Sequence, residues 1–244
     1  ACTFLRSNLL GSHYLLPEGR DDFTLERLAE LNGLDPAEMQ RNVNKVLRGR
    51  LFRDYAMTQE FRIAMMRLCE AQIEPRNAGP GLAEAVEEWL RGELKLIAAL
   101  KSALIFQRVG RHNGRHMIAS LTHWLHVTGK AGLVLSLDIS RLLESRRMPD
   151  GSFYYSGAAV LDGYEVLRQF VDSTDELHFC LILVLAPSAF LDEYERRGLR
   201  SYDALRLRIW DEVRDRQRPN PLSSLIRLSA GNGSPVLPDP GGAI

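Results

Sequence analysis

The chain has 244 residues and is 45% apolar, enough for one sizeable core or a domain with an appendage and too apolar for a disordered chain. Its 31 Lys and Arg balance 31 Asp and Glu, so the net field selects neither nucleic acid nor membrane, although a basic face can be masked by acidic surface elsewhere. Cys2, Cys69 and Cys180 match neither a disulfide framework nor a metal knuckle, no apolar run reaches membrane length, and no signal-peptide h-region opens the sequence, so a cytoplasmic protein is expected.

The first residues, CTFLRSNLL, read as the body of a helix and do not start with Met, which suggests a piece of a longer sequence. From about Phe23 to Leu104 the apolar periodicity is helical, predicting a largely helical N-terminal region over residues 1–105. Leu25, Leu28, Ala29 and Leu31 lead to an Asn32-Gly33 stop, and Asp35-Pro36 then opens a second helix carrying Met39, Val43 and Val46. Residues 24–50 thus resemble a helix-turn-helix. The second helix presents Gln40, Arg41, Asn44, Lys45, Arg48 and Arg50, amides and cations suited to base edges and phosphates. Ordinary helix packing through a glycine turn gives the same pattern, so both readings stay open. A longer helix from about Thr58 to Ile73, a loop over 75–80, and helices over Glu84–Leu90 and Glu93–Leu104 follow.

The next helix, around HMIASLTHWLHV, carries His112, His116, His123 and His126 on one side, with Met117, Leu121, Leu125 and Thr128 opposite. His116 and His123 stand about 10 Å apart along the axis, so one ion cannot take more than one adjacent pair, and a polar face is the simpler reading.

Beyond Gly129 the pattern alternates between β and α. Gly132 to Asp138 reads as a strand, Ala158 to Val171 as an amphipathic helix with Val160, Leu161, Tyr164, Leu167 and Val171 on one side, and Cys180 to Leu185 as a strand buried on both faces. Two strands joined through a helix predict a βαβ unit with a parallel sheet, in an α/β core over 106–230. Ser201 is expected to cap a helix reaching about Arg214, and the Gly- and Pro-rich stretch 231–244 is expected to be a flexible tail.

In a parallel sheet, function collects beyond the carboxyl ends of the strands. Asp138 stands there on the first strand and Ser188 just after the second. A buried strand delivering a carboxylate at this point is how P-loop NTPases hold the Mg2+ of a bound nucleotide, so Asp138 is the candidate metal residue, with Ser188 near the γ-phosphate. Capping of the segments that follow is the alternative role for both. Arg206 falls on the apolar side of its helix, beside Tyr202, Ile209, Trp210 and Val213, and needs an anionic partner, either a phosphate or a carboxylate; Arg208 points away. No GxxxxGK[ST] loop occurs in the chain, and Ile139 occupies the position where an ATPase usually carries its water-activating Glu.

The words FRIAMMRLCEAQ, EEWLRGE, VGRHNGRHM, LVLSLDISR, YYSGAAVLDGYEVLRQFVDSTDEL and RRGLRSYDALRLRIWDEVRDRQRPNPLSSLIRLS carry a resemblance to the P-loop ATP-binding proteins of bacterial BREX phage-defence systems, the BrxD group. This resemblance implies an AAA-like P-loop core with a parallel sheet. It places Asp138 at the magnesium-coordinating position, Ser188 near the sensor strand end, and Arg206 and Arg208 in an arginine-bearing helix. ATP and Mg2+ are the implied cofactors, and antiviral defence on DNA the implied role. The partners in view are other BREX proteins, double-stranded DNA and further copies of the chain, with no membrane. A non-catalytic DNA- or protein-binding module with a degenerate nucleotide site is the alternative.

Overall fold

Capping chemistry sets the first helices of the computed structural model, which describes residues 1–10, 14–19, 21–74, 81–144 and 155–209. After α1 (Cys2–Leu10), the helix α2 (Leu25–Asn32) starts at Thr24, whose side chain accepts a hydrogen bond from the Arg27 amide. Phe23 and Leu28, the residues at the staple positions around this cap, are both fully buried. Gly33 closes α2 in the left-handed region, φ 61°, and its N–H reaches back to the last carbonyls of the helix. A side chain at this φ would be strained. Asp35 caps α3 (Pro36–Val46) by accepting from the Ala37 amide, and Pro36 occupies the first turn, where its missing N–H costs nothing.

The chain does not leave the helix at Val46. It widens into a π-helical turn over Leu47–Phe52. Met39, Val43, Leu47 and Leu51, each four residues apart, are all buried. In a strict α-helix of 3.6 residues per turn this spacing would drift by about 40° per step, so Leu51 would have rotated out of the core. The wider turn absorbs the drift. Leu47 replaces Val46 as the inward residue, and Val46 is only half-buried.

Helix α4 (Gln59–Ile73) is capped by Thr58, and α5 (Leu82–Leu90) follows the segment 75–80, which lies outside the described residues. The expected helix over Glu93–Leu104 is shorter, a 3₁₀ segment Ile97–Ala103 that ends at Leu104 with φ 62°. Trp89 on α5 is fully buried and donates from Nε1 to the Gln107 carbonyl at 2.7 Å, fastening α5 to the end of this segment. Phe4 of α1 stacks on Trp124 of α6 (Gly114–Val127) with ring centroids 4.8 Å apart. Cys69 lies inside the same core, where burial pushes its thiol up to about 12. Only a thiolate attacks alkylating reagents. Iodoacetamide at pH 8 should therefore leave Cys69 unlabelled in the native protein and label it in denaturant; mass spectrometry showing native labelling of Cys69 would contradict its burial.

The strands β1 (Leu133–Asp138) and β2 (Cys180–Leu185) pair in parallel, Leu133 opposite Cys180 and Asp138 opposite Leu185. The short helix α7 (Ser140–Leu143) and the long α8 (Gly157–Asp172) lie between them in sequence. Gly132 admits the closest backbone approach at this sheet: a Cβ there would sit 2.4 Å from the Phe179 carbonyl oxygen, to which the Leu133 amide donates at 2.8 Å. Among the described residues the sheet has these two strands, a small parallel pair consistent with an α/β fold. One sequence expectation needs correction, since β2 is not buried on both faces: Leu181, Leu183 and Leu185 are exposed, as is Val134 on β1. An apolar run records what a strand prefers to touch, not how many layers are present to touch it.

The contacts divide the chain into two compact units, the first holding Ala1–Ile139 and Gln169–Leu185, the second Ser140–Arg168 and the residues from Ala186. In the second, Tyr164 and Phe190 pack with ring centroids 5.6 Å apart, beside the buried Leu199 and the buried Leu205 of α9 (Asp203–Ile209). The Tyr164 hydroxyl donates to the Arg197 carbonyl, while the Arg197 guanidinium donates to the carbonyls of Leu142, at 3.0 Å, and Tyr155, at 2.6 Å. Leu161 and Val171, expected to face inward on α8, are 40% and 38% exposed. Trp210, Val213, the end of the helix predicted to reach Arg214 and the 231–244 stretch lie outside the described residues. Among the described residues no helix is long and apolar enough to cross a membrane.

Candidate nucleotide and nucleic-acid sites

Alternation along β1 alone decides where Asp138 points. Leu133, Leu135 and Leu137 are half-buried, while Val134, Ser136 and Asp138 are exposed. The carboxylate therefore stands on the open face at the carboxyl end of a parallel strand. Ile139 continues the alternation: its amide donates to the Leu185 carbonyl at 3.0 Å and its side chain is buried. The position following Asp138 thus faces away from it, and an apolar residue there suits the interior. One carboxylate at a strand end is the donor Mg2+ uses when substrate phosphates and water complete its shell, so Asp138 fits the metal as one ligand. Among the described residues no group of three His, Cys, Asp or Glu could hold a metal ion by itself.

Ser188, Arg206 and Arg208 belong to the second unit. Ser188 is exposed at the first position of a 3₁₀ segment Ser188–Leu191, and Pro187, not Ser188, takes the capping position. Arg206 has found a carboxylate, Asp203 Oδ1 at 3.6 Å, and is 41% exposed. It lines a recess of about 280 Å³ together with Asp192, Glu193 and Arg200, where an incoming phosphate would meet both signs of charge. Arg208 donates to the Ala204 carbonyl at 2.8 Å.

The histidines of α6 are put to separate uses. His123 pairs with Asp54 at 2.8 Å, tying α6 to the turn before α4, and His126 stacks face to face on Phe179 with centroids 3.6 Å apart. His116 lies 3.1 Å from an Arg115 nitrogen, and His112 is exposed. The apolar stripe expected opposite them is also displaced. Leu121 is 37% exposed, whereas Ser120 and Thr122 are buried.

A second candidate site lies on the helix pair α2 and α3. Along α3 and the π turn, a groove of about 1090 Å³ is lined by Arg41, Lys45, Arg48, Arg50 and Arg53, with Asn42, Asn44, Asn8 and Tyr14 completing its walls and no carboxylate among them. Arg41, Lys45 and Arg48 are exposed, and among the described residues none of the five cations has an ion-pair or hydrogen-bond partner. Gln40 is placed differently. It is half-buried, and its amide sits between Asn44 Oδ1, 3.3 Å away in one orientation, and Glu74 Oε1, 2.7 Å away in the other. That amide is committed to the fold. Of the six residues the sequence placed on the second helix as suited to DNA, the groove gathers Arg41, Asn44, Lys45, Arg48 and Arg50 and adds Arg53, which the sequence reading missed. The fourfold spacing of the inward residues, continued through Leu47 and Leu51, is the signal that would have found it.

No curated protein and no solved structure matches the chain. A family model described as BREX system ATP-binding protein BrxC/D matches residues 24–232, from the cap of α2 through both strands and beyond. The match covers well over half of the sequence, and the protein belongs to this family of BREX ATP-binding proteins.

Proposed function

We propose that this protein is the nucleotide-responsive component of a BREX defence complex, binding ATP with Mg2+ at the Asp138 end of β1 and engaging double-stranded DNA through α3. Family membership supports the nucleotide and, as partners, other BREX proteins. The DNA part is carried by one observation: five cations whose side chains have no partner among the described residues line one groove of a chain whose net charge is zero. Segregating charge in this way costs self-repulsion, which a polyanion relieves.

Magnesium, when bound, neutralises phosphate charge. The chain's own contribution at that point is the Asp138 carboxylate, held at the strand end by the β1–β2 ladder. Within the second unit, Ser188, Arg206 and Arg208 are residues chemically suited to phosphate, Arg206 by exchanging Asp203 for it. Hydrolysis by the isolated protein is expected to be slow, because Ile139 neither accepts a proton nor orients water.

The test is calorimetric. ATP should bind more tightly with magnesium than without it, and Asp138→Ala should erase that difference. An equal magnesium dependence in variant and parent would remove Asp138 from the site.

A further inference from the structure

From Met39 to Arg53 the sequence contains no Asp or Glu, while Arg41, Lys45, Arg48, Arg50 and Arg53 supply five positive charges. In a continuous α-helix Arg53 would be turned about 120° away from Arg41. The π turn that keeps Leu47 and Leu51 inward also brings Arg53 back to the groove holding Arg41 and Lys45. Gly49 completes that four-residue series at its middle, between Lys45 and Arg53. It lines the groove, and a Cβ built there meets nothing within 4 Å. The stripe is therefore a row of cations with a bare stretch of backbone at its centre.

Three features decide what such a row would hold. The first turn of α3 carries Glu38 after the capping Asp35, so the end of the helix that usually enters a major groove presents negative charge. Gln40, one of the amides suited to adenine, is held by Asn44 in one orientation of its amide and by Glu74 in the other. Tyr14, among the described residues the one aromatic lining the groove, is half-buried, so the described walls offer no exposed ring on which an unstacked base would sit.

Resting on the DNA reading above, we propose that the stripe from Arg41 to Arg53 is a sequence-independent seat for the phosphodiester backbone of duplex DNA, with Gly49 as the point of closest approach. The cations neutralise successive phosphates, and the missing side chain lets a phosphate come near the helix backbone. Base edges are not read here.

Fluorescence anisotropy at low salt tests this with two duplexes of unrelated sequence and equal length, the matching single strand and an RNA hairpin. The protein should bind the two duplexes equally, within about twofold, and more tightly than the single strand or the hairpin. Gly49→Glu should weaken duplex binding by roughly tenfold or more, because it places a carboxylate among the cations. Gly49→Gln, similar in size and uncharged, should lose much less. Open space around the Cβ keeps both variants folded, which thermal melts would verify. Three results would overturn the proposal while leaving DNA binding intact: unchanged affinity in Gly49→Glu, equal losses in Gly49→Glu and Gly49→Gln, or a tenfold preference for one duplex. A preference for the single strand or the hairpin would overturn the choice of ligand. Failure of the unmodified protein to bind any nucleic acid would sink the DNA reading itself.

Discussion

Replacing Arg41, Lys45 and Arg48 together with alanine should flatten the salt dependence of duplex DNA binding by about 2 to 3 units in the slope of log K against log salt. Each cation that neutralises a phosphate releases condensed counterions, and each loss removes roughly 0.9 from that slope. At low salt the affinity should fall in parallel, and at high salt variant and parent should converge. The fold should not suffer. All three side chains are exposed, and among the described residues none holds a partner that truncation would orphan. Binding isotherms at several salt concentrations measure both quantities. An unchanged slope would assign the segment to packing or to a protein partner, because a charge-driven contact cannot lose three cations without losing counterion release.

The largest effect on stability is expected at Trp89. This ring is fully buried between α5 and the segment that follows, and its Nε1 donates to the Gln107 carbonyl at 2.7 Å. Trp89→Ala removes the apolar area, leaves a cavity and strands that carbonyl, with a combined cost of about 3 to 5 kcal/mol. Such a loss is a large fraction of the stability of an ordinary domain, so the first unit should unfold at much lower denaturant concentration. Trp89→Phe should recover part of the packing but not the hydrogen bond. Chemical denaturation followed by circular dichroism would show the order parent, Phe variant, Ala variant. Equal midpoints for parent and Ala variant would mean that the ring is not packed as described.

Local chemistry made the first helices readable from the residues alone. Asn32-Gly33 and Asp35-Pro36 each have few conformational options, and the observed stop and start fall there. The two strands were readable for a similar reason, since apolar runs bounded by Gly132 and by the turn before Cys180 have little alternative. Where longer-range geometry decides, the reading failed. A regular helical wheel put Val46 inward and hid the π turn, because a wheel assumes one winding throughout. On α6 the wheel favoured Leu121 over Ser120 and Thr122. Ser120 Oγ, however, donates to the His116 carbonyl and accepts the Thr58 amide, and Thr122 donates to the Ala119 carbonyl, so both hydroxyls are satisfied inside. Asp138 was legible as the residue at a strand end, but the number of strands beside it was not, because pairing partners leave no mark on a single strand's own sequence.

The small sheet also bears on how this protein meets heat. CLILVL is six apolar residues without charge or proline, and among the described residues each strand is paired on one side only. Those are the ingredients of a segment that nucleates aggregates once chains open. The ladder that fixes the register of β1 and β2 can be extended by another molecule using the same backbone groups, and no turn or charged gatekeeper lies within β2 to interrupt it. Denaturation by heat is therefore a race between refolding and association, decided by rates and concentration, and the working measure of durability is a lifetime rather than an equilibrium midpoint.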